Sequence, residues 1–347
     1  MGRALVTGAN GYVGSWVVER LLARGFQVHG TVRDPSDEKK TAHLRRLADR
    51  APGTLSLFSA DLLTEGSFDA AMAGCELVFH TASPFAVRGV ADPVRDVIEP
   101  ARRGTRTVLE SALRTPTVRR VVLTSSVAAI YGDAADLAQV AEGRFSERQW
   151  NTSSTERHQP YSYAKTIAER LAWEIARGQD RWDLVVVNPG LVFGPALSAH
   201  ATSESVAIMR DFATGLYRFG APALEWGIVD VRDVAEAHVL AGVTPGASGR
   251  HVLVSETASL MEIGRILRSR FGGAYPFPRF VLPKPIVILA GLARGLSLRF
   301  LMRSVGYPMC FDNAYAQADL GIRFRPVAEA VVDHFQQLIE DGLVPRK

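Results

Sequence analysis

Short, unbroken apolar runs alternate with longer amphipathic stretches through the first half of the chain. Ala4-Leu5-Val6 opens the pattern as a strand buried on both faces. After a glycine-rich turn, Val13, Val17, Val18, Leu21 and Leu22 recur at helical spacing, with Glu19, Arg20 and Arg24 opposite them and Gly25 placed to end the helix. A strand over 26–32, a charged helix over 37–50 and a strand over 54–58 follow. Next come a strand at Leu77-Val78-Phe79-His80 and a long helix over 93–114, its apolar face running from Val94 and Val97 to Leu109 and Ala112. Val121 to Thr124 is the fifth strand, 162–177 a further helix with Ala164, Ile167, Ala168, Leu171 and Ile175 on one face, and Leu184 to Val187 the next buried strand. Strand and helix alternating without internal hairpins predict an α/β fold, a Rossmann-type doubly wound parallel sheet.

Two regions depart from the rhythm. The stretch 132–160 is polar and irregular and reads as a long surface loop. Beyond 190, helices near 206–214, 259–271, 285–303 and 328–341 predict a smaller, mostly helical lobe, while 226–240 and 251–254 return to the main sheet or its edge. The expected division is 1–190 for the sheet domain and 191–347 for a substrate lobe. In 285–303 Arg294, Arg299 and Arg303 interrupt the most apolar stretch, which suits core or subunit-interface packing, with membrane-surface contact as the alternative.

Composition narrows the class. Hydrophobic residues make up 47% and charged residues 22% of 347, ordinary globular usage with room for two domains. The net charge of +4 is modest and the arginines are scattered, so nucleic acid is not indicated, and mild basicity suits an anionic ligand. Cys75 and Cys310 lie far apart without metal-ligand spacing, which argues for a reducing compartment and against a disulfide or a metal. Met1-Gly2-Arg3 leads straight into the first strand and no run approaches the length of a membrane span, so the chain is expected to be cytoplasmic, as a monomer or homodimer.

The turn Thr7-Gly8-Ala9-Asn10-Gly11-Tyr12-Val13-Gly14 carries the first chemistry. Gly8, Gly11 and Gly14 permit a sharp turn, close approach of a ligand and tight helix packing, while the N–H groups of the first helical turn, Tyr12 and Val13 included, point at an anion. The spacing GxxGxxG differs from GxGxxG, but its place between first strand and first helix is that of a pyrophosphate cradle for a dinucleotide. At the end of the second strand, where an acidic residue would take a ribose 2′-hydroxyl, stands Arg33, whose guanidinium suits a 2′-phosphate. NADP(H) is therefore preferred, with NAD(H) possible should Asp34 supply the acid. Asp61-Leu62 and the small-residue loop Thr81-Ala82-Ser83 fall at strand carboxyl ends, where ligands gather, and His80 reads as a satisfied strand-end histidine.

Tyr161 and Lys165 stand one helical turn apart. A free phenol has a pKa near ~10, and a neighbouring cation is expected to favour its ionised form and make Tyr161 a usable general acid. Ser126, at the end of the fifth strand, is placed to hydrogen-bond the same substrate oxygen. Tyr163, two residues from the lysine, would point elsewhere.

With these residues the chain resembles the extended short-chain dehydrogenase/reductases, in particular the dihydroflavonol 4-reductase, cinnamoyl-CoA reductase and aldehyde reductase group. The likeness is nearly full length and adds Val32-Arg33-Asp34-Pro35, Lys39-Lys40, Phe79 to Pro84, Thr124-Ser125-Ser126, Asn188 to Pro195 and Val229 to Ala235. It implies a catalytic triad of Ser126, Tyr161 and Lys165, with Lys165 also on the nicotinamide ribose. Arg33 and Lys40 would hold the 2′-phosphate, Asp61 and Leu62 the adenine, and Thr81, Ala82, Ser83, Pro189 and Val192 the nicotinamide side. On the substrate side the resemblance implies Ser126, Tyr161, Tyr131 and Phe85. Plant dihydroflavonol reductases carry a substrate-contacting asparagine where this chain has Tyr131, which argues against a flavonoid. The cinnamoyl-CoA reductase pattern NWYCYGK is here Gln159 to Lys165 without the leading Asn-Trp pair, which argues against CoA thioesters. The implied activity is reversible NADPH-dependent reduction of an aldehyde or ketone. Nucleotide-sugar epimerisation, 3β-hydroxysteroid oxidation and cofactor binding without turnover stay open as rivals.

Overall fold

The computed structural model describes residues 2–83, 92–199 and 203–345. The chain alternates as the sequence predicts: β1 (Arg3–Thr7), α1 (Tyr12–Ala23), β2 (Gln27–Val32), α2 (Glu38–Ala48), β3 (Thr54–Ser59), the single turn α3 (Asp69–Met72), β4 (Leu77–His80), α4 (Glu99–Arg114), β5 (Arg120–Thr124), α5 (Pro160–Arg177) and β6 (Asp183–Pro189). A π-helical turn, Val94–Ile98, leads into α4. Then follow β7 (Leu191–Phe193), α6 (Glu204–Thr214), β8 (Glu225–Asp230), α7 (Val231–Val243), β9 (Gly249–Leu253), β10 (Glu256–Ser259) and α8 (Leu260–Phe271). The last helices are α9 (Lys284–Ala293), α10 (Leu298–Ser304), α11 (Ala314–Leu320) and α12 (Val327–Glu340).

Seven strands form one parallel sheet in the order β3-β2-β1-β4-β5-β6-β9, with Arg3 opposite Gln27 on one side of β1 and Ala4 opposite Leu77 on the other. The order reverses between β1 and β4, and a doubly wound sheet opens its ligand crevice at such a point. One face is covered by α1, whose Val17, Val18, Leu21 and Leu22 meet Val234, Ala235 and Val239 of α7. The other face is covered by α3, α4 and α5, with Met72, Val108, Leu109 and Ala172 buried against Val121 and Val186. Fully burying each such leucine or valine contributes about 2 kcal/mol. Gly25 ends α1 at φ +75°, and its N–H returns to the Leu22 carbonyl.

The C-terminal lobe has its own core, in which Phe335 of α12 contacts Phe271, Tyr275 and Phe277. Its small sheet, β10-β8-β7, pairs β7 with β8 in parallel and β8 with β10 antiparallel.

Three expectations are revised. The stretch 132–160 is no surface loop: it holds a 3₁₀ helix at Ala134–Gln139 and buries Asp133, Phe145, Asn151, Ser154 and His158. Its polar side chains bond one another and the local backbone, Asn151 Nδ2 donating to the Ala128 carbonyl at 2.8 Å, so polarity here did not signal exposure. Residues 226–230 join the small sheet as β8, and only β9 of the returning segments enters the main one. The single helix expected over 285–303 is two, because Gly295 turns left-handed at φ +80° and Ser297 caps α10 by accepting from Phe300 N–H at 3.2 Å. The short helices α3 and α11 were not foreseen. Phe85 lies outside the described residues.

Candidate active site

The glycine loop fits an anion by what it lacks. The N-terminus of α1 has no capping side chain and no acidic residue in its first turn, so its N–H dipoles are left for a negatively charged group. Gly8 sits at φ +64° with Ala82 only 3.0 Å from where a Cβ would be, and a Cβ on Gly14 would lie 2.3 Å from the Gly8 carbonyl oxygen. Tyr12 turns its side chain away, donating its hydroxyl to the Gly194 carbonyl at 2.5 Å, and Val13 packs on the sheet core. Both therefore offer a ligand their backbone N–H groups.

Thr7 fastens β1 to the end of β4. Thr81 Oγ1 donates to the Thr7 carbonyl at 2.6 Å, Ala82 N–H donates to Thr7 Oγ1 at 3.1 Å, and His80 Nδ1 lies 2.9 Å from the same hydroxyl. Burial and the nearby Lys165 charge pull His80 down to about 3, so it is a neutral, satisfied histidine. Beside it a small cavity is lined by Ala82, Ser83, Thr124, Ser125 and Lys165.

At the end of β2 the two rivals for the ribose differ in freedom. Arg33 is exposed. The Asp34 carboxylate accepts the N–H and hydroxyl of Ser36 at 2.8 and 2.6 Å, and those bonds hold its carboxyl below the ordinary range. Lys40, expected beside Arg33, pairs with Asp37 at 2.9 Å. Asp61 is exposed at the end of β3, accepting Leu63 N–H at 2.7 Å, while Leu62 packs on Gly104 of α4. Pro189 is buried at the end of β6, and Val192 of β7 rests against the sheet core.

Ser126, Tyr161 and Lys165 converge. Ser126 caps the 3₁₀ turn Val127–Ala129, accepting from Ala128 N–H at 3.1 Å, and its hydroxyl hydrogen-bonds Tyr161. Pro160 is the first residue of α5, and Gln159 before it is the one non-glycine residue with positive φ (+53°) among the described residues. The Gln159 side chain secures this entry by donating to the Gly132 carbonyl at 2.5 Å and to Asp133 at 2.8 Å. Lys165 follows one turn after Tyr161 and directs Nζ at the Thr124 carbonyl, 3.4 Å away. Tyr163 instead packs with Ile167 against Val97 and Ile98.

Burial pulls the Lys165 ammonium down to about 8, against the attraction of Glu169. The expected lowering of Tyr161 is not found. Burial pushes the phenol up to about 12, opposed by its bond with Ser126, because the cost of desolvating a phenolate exceeds any gain from the lysine. Tyr161 thus holds its proton at neutral pH, as a donor must. Tyr131 lies in an aromatic cluster, stacked on Phe145 at 4.8 Å and edge-on to Phe311 at 5.7 Å, with burial raising its pKa.

Beneath these groups lies a polar cluster that the sequence reading missed. Glu169, one turn beyond Lys165 and buried, accepts Arg250 Nε at 2.5 Å, Asn188 Nδ2 at 2.9 Å and the Ser125 hydroxyl. Asn188 also donates to the Ser126 carbonyl at 3.2 Å. Arg250 donates to the carbonyls of Glu147 and Gln149 at 2.9 and 2.6 Å and stacks over Trp150. The signal was present as a carboxylate at i+4 from the lysine on an otherwise apolar face.

The sequence and the fold both have known counterparts. Residues 4–255 match the model of the NAD dependent epimerase/dehydratase family. The chain belongs to that family. Among family relatives, the cinnamoyl-CoA reductase CAD2 of Medicago truncatula is 43% identical over 269 residues, 77% of this chain and 80% of the relative. The tetraketide alpha-pyrone reductase 1 of Arabidopsis thaliana is 34% identical over 98% of this chain and 96% of its own. The structure of yeast methylglyoxal/isovaleraldehyde reductase Gre2 complexed with NADPH superposes with a TM-score of 0.79 at 26% identity, covering 97% of this chain and 98% of the other. Among the described residues no cluster suited to a metal ion occurs, and no helix is long and apolar enough to cross a membrane.

Proposed function

We propose that the chain is an NADPH-dependent reductase that converts an aldehyde or ketone to the alcohol, reversibly, using Ser126, Tyr161 and Lys165. The observation that carries this reading is the meeting of the Ser126 and Tyr161 hydroxyls at the carboxyl edge of the sheet, with Lys165 one turn further on. The reductases among its relatives, cinnamoyl-CoA reductase and the NADPH-bound Gre2, support it. NADPH, when bound, supplies the hydride that forms the new C–H bond. Its pyrophosphate belongs at the uncapped N-terminus of α1, with Arg33 at the 2′-phosphate and Thr81, Ala82, Ser83, Pro189 and Val192 toward the nicotinamide. Ser126 and Tyr161 hold the carbonyl oxygen, and Tyr161 gives it the phenolic proton as charge builds there. Lys165 steadies the phenolate that remains.

Arg33→Ala raises the KM for NADPH about tenfold or more, the loss of a charge-assisted bond to phosphate, and leaves the KM for NADH within about twofold. Parallel initial rates with the two cofactors check this.

A second expectation concerns pH. Lys165 is charged below its pKa of about 8 and loses its charge above it. Accordingly kcat/KM for reduction is level below that pH and falls about tenfold per unit beyond it. Lys165→Arg, whose guanidinium does not deprotonate, removes this alkaline fall even where it lowers the plateau.

The reading is tested by following NADPH absorbance against aliphatic and aromatic aldehydes, ketones, diketones and a hydroxycinnamoyl thioester, with UDP-sugars and 3β-hydroxysteroids alongside. Turnover of a carbonyl supports it. Turnover confined to sugar nucleotides or steroids, or NADPH binding with no turnover of any compound, overturns it.

A further inference from the structure

The outward face of α9 has no polar side chain between Lys284 and Arg294. Pro285, Ile286, Leu289, Ala290, Leu292 and Ala293 are exposed there, Leu289 at 74%. A helix on a solvated surface turns charged residues outward, so this face is built to meet something other than water. It is not misplaced core either, since Val287 and Gly291 already pack inward on Leu301 of α10. Apolar exposure continues on α10 at Leu298 and Met302. It continues also at Phe280 and Phe219, whose segments are joined by the bond from Ala221 N–H to the Phe280 carbonyl at 3.0 Å.

Charge identifies the covering surface. The whole chain is nearly balanced at 40 basic and 36 acidic residues, yet from Ile263 to Phe311 it has eight Lys or Arg and no Asp or Glu. Arg279, Arg294 and Arg299 are exposed among the apolar positions. A second copy seated on this face by a two-fold axis would set those like charges against each other. The apolar anchors are chiefly aliphatic, whereas hot spots of protein interfaces favour Trp and Tyr and are poor in Leu and Val. An anionic lipid surface satisfies both features, taking aliphatic side chains at the acyl boundary and arginines at the phosphates.

We propose that α9, with α10 and the segment 279–281, seats this protein on the surface of a membrane that contains anionic lipid, with α9 lying in the plane of the headgroups. Attachment is peripheral, because no helix among the described residues is long and apolar enough to span. None of Ser126, Tyr161 and Lys165 belongs to α9, α10 or 279–281, so the proposal does not depend on the reaction assigned to them.

Co-sedimentation of the full chain with vesicles of phosphatidylcholine alone, or of phosphatidylcholine with phosphatidylglycerol, tests it. Binding is expected to be at least about tenfold tighter to the anionic vesicles and to weaken as salt rises from about 50 to about 500 mM. The double variant Ile286→Glu with Leu289→Glu is expected to lose at least about tenfold in binding with its thermal unfolding unchanged. Should that variant fail to fold, Arg279→Gln with Arg294→Gln serves instead and weakens binding to anionic vesicles alone. No binding to either vesicle overturns the proposal, as does binding that both variants leave intact. A dimer in sedimentation equilibrium that Leu289→Glu dissociates assigns the face to a second copy and equally overturns it.

Discussion

Replacing Tyr161 by Phe lowers kcat for carbonyl reduction about 10³-fold and leaves the Kd for NADPH within about twofold, in the middle of the range for loss of a general acid. The ring stays, so the packing at the start of α5 is kept and only the hydroxyl shared with Ser126 is removed. Burial pushes the phenol up to about 12, so at neutral pH the substitution removes a protonated donor. Ser126→Ala is expected to cost less, about 10²-fold, because it removes a hydrogen bond to the developing oxyanion but leaves the proton source. Single-turnover absorbance with saturating NADPH separates these effects from cofactor affinity.

Arg250→Met destabilises the fold by about 3–5 kcal/mol, the usual cost of leaving a buried charge without its partner. Glu169 is then left in the interior with Asn188, Ser125 and Trp173 as its neutral donors among the described residues. Two features raise the cost above that of a simple ion pair. Arg250 also satisfies the carbonyls of Glu147 and Gln149, and it covers Trp150 at 3.9 Å, so the substitution unpins the chain before α5. Denaturant unfolding of Arg250→Met, Glu169→Met and the double variant checks this. The double variant is expected to lose clearly less than the sum, since each single change strands the other partner. Additive losses would show that the two side chains act separately. Glu169→Gln removes the attraction that holds up the Lys165 pKa, and the alkaline fall in kcat/KM moves below pH 8.

The central strands β1, β4, β5 and β6 were legible because they are buried on both faces and read as largely unbroken apolar runs, and α1, α4 and α5 because each carries one apolar stripe. Glycine at 8, 11 and 14 and the one-turn spacing of Tyr161 and Lys165 are local signals, visible without a fold. What escaped was non-local. Polarity over 132–160 suggests exposure, yet Asp133 is fully buried, held by His158 at 2.8 Å, Gln159 at 2.8 Å and Arg303 at 2.7 Å from a helix nearly half the chain away. Glu169 escaped for the same reason, since its partner Arg250 is 81 residues distant. The break after Arg294 was written in Gly295 and Ser297, but an apolar run on either side concealed it. The raised phenol of Tyr161 could not be read from spacing at all, because desolvation depends on what the fold places around a group, not on its neighbour along a helix.

Net reduction by hydride transfer is the centre of the account, and the fate of a label tests it most directly. NADPH carrying deuterium at both hydrogens of the transferring carbon of the nicotinamide is supplied with a carbonyl compound that the enzyme turns over, and the product is examined by mass and proton spectra. One deuterium on the former carbonyl carbon, with one NADP⁺ formed for each alcohol, is the predicted result. Alcohol free of deuterium would contradict it, and substrate converted without net loss of NADPH would contradict it and place the chain with the redox-neutral members of its family.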